Sequence, residues 1–118
     1  MTLQRFDYPG AGAPGGRVIR EGGTSYHMCK SPTLSSKVLV IEPGTHNSAH
    51  AHGDEDAHYF VLRGRVRFYG DGDDVEAELG PNDGLLMPHG RPYWFESSGD
   101  EPLEMLRVST RVPMEAAP

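Results

Sequence analysis

The sequence is short of cysteine and of long apolar segments. Cys29 is the single cysteine among 118 residues, so an internal disulfide is excluded and a reducing compartment fits best. The longest apolar run, residues 38–41, is far too short to cross a bilayer. The first residues also lack the apolar stretch that a signal peptide needs. We therefore expect a cytoplasmic protein.

Positive charge is also scarce. Eleven Lys+Arg against seventeen Asp+Glu give a net charge of −6, and only two of the cations, Lys30 and Lys37, are lysines. An acidic chain has no charge complementarity with nucleic acid or an anionic membrane, so we expect neither as the main partner. The length allows one domain with a modest core, which favours a homodimer because assembly buries further surface.

The chain instead consists of short β-prone runs separated by glycine (15) and proline (10), without the 3.6-residue periodicity of a long helix. Strands are predicted over residues 18–19, 26–28, 37–42, 49–52, 58–63, 65–69, 75–79, 84–87, 92–96 and 103–109. In the run 65–69, Val66 and Phe68 alternate with arginines, as in a half-buried strand. The pattern predicts an all-β antiparallel barrel over residues 17–110, between a flexible N-terminal arm (1–16) and a loose C-terminal tail (111–118).

Histidine is concentrated in one segment, with four of the six residues between positions 46 and 58. His50 and His52 lie two apart on an extended stretch, so their imidazoles project from the same face. Imidazole is a good ligand for Zn, Fe, Ni and Mn, and two histidines with a carboxylate form the facial triad of non-haem iron sites. The spacing predicts a divalent metal at these two residues.

Two segments resemble the motifs of the cupin superfamily. Residues 43–64 resemble the first motif, with its glycines and H-x-H pair, and residues 82–97 resemble the second motif. The matching residues are Gly44, His50, His52, Gly64, Pro88 and Gly90. The resemblance covers roughly residues 38–109. It implies an antiparallel double-stranded β-helix, the jelly-roll barrel of small single-domain cupins, which is commonly dimeric and has a pocket inside.

The family's acidic metal ligand has no clear counterpart. Counted back from Gly64 it falls on Ala57, and counted forward from His52 it falls on Asp56. A one-residue bulge before Phe60 would turn Asp56 inward, whereas the unbulged register turns Ala57 inward. The sequence leaves both registers open.

Tyrosines are the remaining candidates for the site. Tyr93 stands where the family has its third histidine, and Tyr59 lines the barrel if Ala57 faces inward. A tyrosine hydroxyl donates a hydrogen bond to a substrate carbonyl, acts as a general acid, or binds a metal as phenolate. Both rings also suit core packing.

Three functions are consistent with these residues. The first is a cupin that uses a divalent metal (Zn, Fe, Ni or Mn) on His50 and His52, with Asp56 or Tyr93 assisting as a further ligand. It would act on a small oxygenated metabolite as an isomerase, lyase or dioxygenase. The second is a metal-free cupin that binds a small organic ligand without redox chemistry. The third is a structural domain whose interior is filled by side chains, against which the polar His50, His52 and Tyr93 argue.

Overall fold

The computed structural model describes residues 2–112, which contain nine β-strands. The strands are β1 (Arg17–Arg20), β2 (Gly23–Lys30), β3 (Leu34–Ile41), β4 (Glu55–Arg63), β5 (Val66–Tyr69), β6 (Val75–Leu79), β7 (Gly84–Met87), β8 (Trp94–Ser97) and β9 (Leu103–Arg111). Within residues 2–112, no helix is long and apolar enough to span a membrane.

The strands form two antiparallel sheets. One sheet has the order β1-β2-β3-β9-β4-β7, and the other has the order β6-β5-β8. Side chains from both sheets meet in one core, which contains Leu39, Ile41, Ala57, Tyr59, Val61, Val66, Phe68, Leu79, Met87, Tyr93, Phe95, Leu103 and Met105. The prediction of an all-β antiparallel architecture is confirmed.

The strand predicted over residues 49–52 is wrong. Only His50 forms a bridge there, in which His50 and Tyr93 exchange backbone hydrogen bonds of 3.0 and 2.9 Å. The next contacts, from the amide of Asn47 to Phe95 and from the amide of Gly90 to His52, lie on either side. The segment therefore runs extended beside the start of β8 without a continuous ladder, because its backbone groups pair only at separate points.

Strand β3 is apolar at every position of its second half because both of its faces are covered. Leu39 and Ile41 belong to the core between the sheets, whereas Val38 and Val40 face outward. The outward pair packs with Tyr26 beneath residues of the N-terminal segment. A strand buried on both faces is expected to lack the usual alternation of apolar and polar residues.

The N-terminal segment lies against the chain's own sheet. The ring of Tyr8 meets that of Tyr26 edge-on at 5.5 Å, and its hydroxyl donates to Glu104. The Tyr26 hydroxyl donates to the carbonyl of Ala13 at 3.0 Å. At the other end of the chain, Arg111 completes β9, and residues 113–118 of the predicted tail lie outside the described residues.

Gly64 joins β4 to β5 with a positive φ of 83°, where only glycine is unstrained. A Cβ there would lie 2.7 Å from the carbonyl oxygen of Pro102 and 2.9 Å from the Cα of Leu103. Both of these neighbours are backbone atoms, which cannot rotate away. Gly64 is therefore required by conformation and by space together.

We expect Gly64→Ala to lower the free energy of unfolding by roughly 3 kcal/mol or more, because left-handed strain and a backbone clash add. Gly44 is the matched control, since its φ is 80° but nothing lies within 4 Å of a built Cβ. Gly44→Ala is expected to cost only about 1–2 kcal/mol, the strain alone. Urea unfolding of both variants measures the difference, and equal losses would contradict the proposed clash.

Candidate functional site

A pocket of about 600 Å³ opens between the large sheet and the segment that carries the histidines. Its walls come from the inner faces of β2, β3, β4 and β9, from the end of β1, and from residues 47–52. The polar and charged lining residues are Arg20, His27, Ser35, Ser36, Lys37, Asn47, Ser48, His50, His52, Glu55, Arg107 and Ser109. The barrel interior is thus apolar at depth and polar at this opening.

Four side chains form a row across adjacent strands of the large sheet. His27 on β2 pairs in register with Lys37 on β3, Lys37 pairs with Arg107 on β9, and Arg107 pairs with Tyr59 on β4. All four line the pocket. Because directly opposite residues on one face have neighbouring side chains, two cations are held side by side in this wall.

Arg107 is a buried guanidinium with two partners. Its Nη2 donates to Oε1 of Glu55 at 2.6 Å, and its Nε donates to the Tyr59 hydroxyl at 3.1 Å. Burial alone would raise the pKa of Glu55, but the hydrogen bond and charge of Arg107 outweigh it and leave this pKa below its ordinary value. Glu55 is therefore a carboxylate at neutral pH, and it compensates the charge of Arg107.

Lys37 has no such compensation. Among residues 2–112, no carboxylate lies within salt-bridge distance of its ammonium group. Burial lowers the pKa of Lys37, and the neighbouring Arg107 lowers it further. The wall thus presents a half-buried amine beside a guanidinium, an arrangement that an anionic ligand would stabilise.

The structure brings His50 and His52 together, as the spacing predicted. Their ring centroids lie 4.9 Å apart, and both rings line the pocket. Nδ1 of His50 donates to the carbonyl of Ser48 at 2.8 Å, which leaves Nε2 as the nitrogen with a free lone pair. Nδ1 of His52 lies 3.4 Å from Glu55, and burial followed by Arg107 lowers the pKa of His52.

Asp56 does not join the histidines. It accepts hydrogen bonds from the backbone amide and Nδ1 of His89, at 2.8 and 2.9 Å, on the side of β4 away from the pocket. Ala57 is buried in the core instead, and the irregularity in β4 falls between Val61 and Arg63, after Phe60 rather than before it. The inward positions of β4 are therefore those of the unbulged register.

Tyr59 and Tyr93 form a pair, with Tyr59 at the pocket wall and Tyr93 behind it. Their hydroxyl oxygens lie 2.6 Å apart. The Tyr59 oxygen has two lone pairs, so it can accept from both Arg107 and Tyr93, and its own proton is then available to a ligand. Burial, followed by the neighbouring Tyr59, raises the pKa of Tyr93 far above its ordinary value, so Tyr93 stays a neutral phenol.

Three residues of this site were missed by sequence reasoning: Lys37, Glu55 and Arg107. Glu55 stands in an acidic run, residues 54–56, which has the composition of a solvated loop, but in the structure it takes the same face of β4 as Ala57. A signal for Arg107 exists, because Leu103, Met105 and Arg107 share the buried face of β9. A charged residue at an inward position is a marker of a site.

The residues present do not fit the metal-ligand set of the cupin motifs. Of its four positions, His50 and His52 carry ligands, but Ala57 has no donor atom and Tyr93 is a neutral phenol bonded to Tyr59. Glu55 is already bonded to Arg107. Within the described part of the chain, no group of three His, Cys, Asp or Glu residues is arranged to hold a metal ion.

Comparison with known sequences agrees with this architecture. Residues 37–109 match the family described as a cupin domain, and the chain therefore belongs to the cupin family. The chain is 27% identical over 97 residues to oxalate decarboxylase OxdC of Bacillus subtilis (strain 168). That alignment covers 80% of this chain and 25% of the relative, so the chain spans about a quarter of the relative's length.

Solved structures show the same fold. KdgF from Halomonas sp. superposes with a TM-score of 0.77 at 18% identity, over 94% of this chain and 96% of that one. A cupin-superfamily sugar phosphate isomerase from Silicibacter pomeroyi DSS-3 gives 0.67 at 22% identity, covering 83% and 69%. A predicted oxalate decarboxylase from Thermotoga maritima gives 0.69 at 20% identity, covering 82% and 90%. The predicted jelly-roll cupin fold is confirmed.

The bond between Glu55 and Arg107 gives a prediction for stability. We expect Glu55→Gln to lower the free energy of unfolding at pH 7 by about 1–3 kcal/mol, because the buried guanidinium loses its anionic partner. Asp54→Asn is the matched control, since the Asp54–Arg111 pair is mostly exposed, and about 0.5 kcal/mol or less is expected.

The same bond predicts a pH dependence. Folding lowers the pKa of Glu55 from its ordinary value of 4.5. The stabilisation of the folded state by the Glu55–Arg107 bond is therefore complete above pH 4.5, and it is lost as the pH falls through the lower pKa that Glu55 has in the folded protein. Urea unfolding at pH 7 and at pH 3 should therefore show a smaller gap between wild type and Glu55→Gln at the lower pH. A gap that stays constant would contradict this assignment.

Proposed function

We propose that this protein binds a small, anionic, oxygen-rich metabolite in the pocket, without the complete metal-ligand set of the cupin motifs. The observation that carries the proposal is the register pairing of Lys37 with Arg107, with both side chains directed into one cavity. Like charges placed directly opposite each other on adjacent strands are destabilising. A bound carboxylate or phosphate would turn this repulsion into two charge-assisted contacts.

The distribution of charge supports an anionic ligand. The chain as a whole carries a net charge of −6. Among the described residues, however, three cations (Arg20, Lys37 and Arg107) and a single carboxylate (Glu55) line the pocket. A cavity of opposite sign to its protein concentrates anions locally, because its walls focus the field.

The remaining lining suits an oxygenated molecule. Hydroxyl and amide groups from Ser35, Ser48 and Asn47 face the same cavity. Tyr59 presents a hydroxyl whose oxygen is already held by Arg107, and Tyr93 supports it from behind. These two tyrosines were predicted as catalytic. We propose that they orient and hydrogen-bond the ligand, with Tyr59 as the contacting group.

The names of the relatives are compatible with this chemistry. Oxalate is a small dicarboxylate and a sugar phosphate is a small hydroxylated anion, and proteins named for each share this fold. At the identities observed, the shared fold does not transfer either activity to this chain. It supports only the class of ligand. The cationic wall, by which we mean Lys37 and Arg107 side by side in the pocket, indicates the same class independently.

A divalent metal at His50 and His52 stays a second candidate. It is favoured by the bond from Nδ1 of His50 to Ser48, since metal-binding histidines commonly donate their other nitrogen to a carbonyl. A metal bound there would supply Lewis acidity to a ligand oxygen. Asp56 was predicted as the third ligand. To reach this metal, it would have to break its hydrogen bonds with His89 and move to the other face of β4.

Ligand binding tests the main proposal. Isothermal titration with oxalate, malate and glucose 6-phosphate, each beside an uncharged counterpart such as malamide or glucose, should detect heat only for anions. Lys37→Met is expected to weaken anion binding roughly 10- to 100-fold, the equivalent of one hydrogen bond to a charged group. Lys30→Met is the control, because Lys30 lies outside the pocket. Equal binding of neutral counterparts, or no effect of Lys37→Met, would reject the proposal.

Elemental analysis tests the metal candidate. Protein purified without chelators and then incubated with Zn²⁺ and desalted should retain about one equivalent if His50 and His52 bind it, and the double variant His50→Ala/His52→Ala should retain none. His58→Ala serves as the control, since His58 is exposed on β4 and does not line the pocket. Zn²⁺ retained equally by the double variant, or by none of the proteins, would exclude a site on these two histidines.

A further inference from the structure

The chain's two lysines occupy very different places. Lys30 is exposed at the end of β2, where its backbone amide and carbonyl form hydrogen bonds with the side chain of Gln4. Lys37 projects from the middle of the large sheet into the pocket, opposite Arg107. A lysine that is partly removed from water and placed beside another cation is a more available nucleophile than an exposed one.

We propose that Nζ of Lys37 condenses with the carbonyl carbon of an oxo acid bound in the pocket, forming a Schiff base. The inference rests on the proposed function, because the acid group of the same ligand is the anion that the cationic wall binds. It adds a covalent role for one named atom. It also narrows the ligand from anionic metabolites in general to those with a carbonyl close to the carboxylate.

The geometry of the row determines which end of the ligand meets which residue. Directly opposite residues in an antiparallel pair have Cα atoms roughly 4.5–5.5 Å apart, so Lys37 and Arg107 reach adjacent positions on one small molecule. A guanidinium recognises a carboxylate with parallel hydrogen bonds, whereas an amine can attack a carbonyl. A carboxylate on Arg107 therefore places a carbonyl one or two carbons away beside Nζ of Lys37.

The condensation balances without any further reactant. The ammonium of Lys37 first gives up a proton, and its lone pair forms a C–N bond to the carbonyl carbon while the carbonyl oxygen takes a proton. The C–O bond of this carbinolamine then breaks and water leaves. The net change is Lys–NH3⁺ plus O=C giving Lys–NH⁺=C plus H2O, so no net proton and no electron is exchanged with solvent.

Each neighbouring strand presents a group to this amine. Arg107 on β9 and His27 on β2 flank Lys37 in register, and Glu55 on β4 and Arg17 on β1 act on it by charge. Burial and Arg107 lower the pKa of Lys37, with Glu55 opposing them. This balance enlarges the neutral fraction of the amine, and the product keeps one positive charge to face the carboxylate of the ligand.

Reductive trapping tests the inference directly. Wild-type protein is incubated with pyruvate or acetoacetate and sodium cyanoborohydride, and intact mass and peptide mapping follow. The expected result is one adduct, heavier by the mass of the oxo acid less one oxygen atom, located at Lys37. Lactate, which has a carboxylate but no carbonyl, should give no adduct. Labelling confined to other amines, or no labelling, would overturn the proposal.

Two substitutions of equal charge sharpen the test. Lys37→Arg preserves a cation but has no primary amine, and loss of the adduct is expected. Lys30→Arg is the matched control and should label like wild type, since Lys30 is not among the residues that line the pocket. Thermal unfolding of both variants shows whether each is folded. If Lys37→Arg does not fold, the position of the wild-type adduct still decides the matter.

The outcomes distinguish failure of the Schiff-base proposal from failure of the proposed anion binding. Lactate and pyruvate binding to wild-type protein, measured by titration without reductant, reports on the anion site alone. Binding without an adduct at Lys37 rejects the Schiff base and leaves the proposed function intact. An adduct at Lys37 that neither malate nor oxalate suppresses by competition rejects the anion site as its cause. Absence of both binding and adduct rejects the two proposals together.

Discussion

The antiparallel register of β3, β9 and β4 is the constraint on which the pocket depends. Pairing across these three strands aligns Lys37, Arg107 and Tyr59 on one face of the large sheet. Because successive side chains alternate between faces, a one-residue slip of β9 would turn Leu106 or Val108 inward and move Arg107 to the opposite face. The charge of the pocket is therefore a property of strand pairing, which the complete sheet stabilises.

Electrostatics then explains how the rest of the site is arranged. Arg107 is too deeply placed to lack a partner, and Glu55 and the Tyr59 hydroxyl satisfy it. These bonds engage Glu55, the carboxylate that lies 3.4 Å from Nδ1 of His52, and they engage the hydroxyl that Tyr93 supports. In this cupin barrel the opening therefore carries a hydrogen-bonded cationic wall formed by Lys37 and Arg107.

Much of the fold was readable from local patterns, and part of the site was not. The resemblance of residues 43–64 and 82–97 to the two cupin motifs implied a jelly-roll barrel. The alternation of Val66 and Phe68 with arginines predicted a half-buried strand, because that signal needs only neighbouring residues. His50 and His52 were placed together for the same reason. Glu55 was missed because three acidic residues in succession look like a solvated loop until strand pairing assigns each a face. The extended segment around His50 was mistaken for a strand because propensity does not reveal whether a ladder continues.

The sequence by itself determined the class of fold and the pair of imidazoles, since both follow from periodicity and from residues two positions apart. Only the tertiary structure decided that Ala57 rather than Asp56 faces the core, and that Lys37 and Arg107, far apart along the chain, share one wall. The physical reason is that a strand's two faces are equivalent until its neighbours pair with it. Which face becomes interior is then settled by burial of the apolar set, and the charged residues on that face follow.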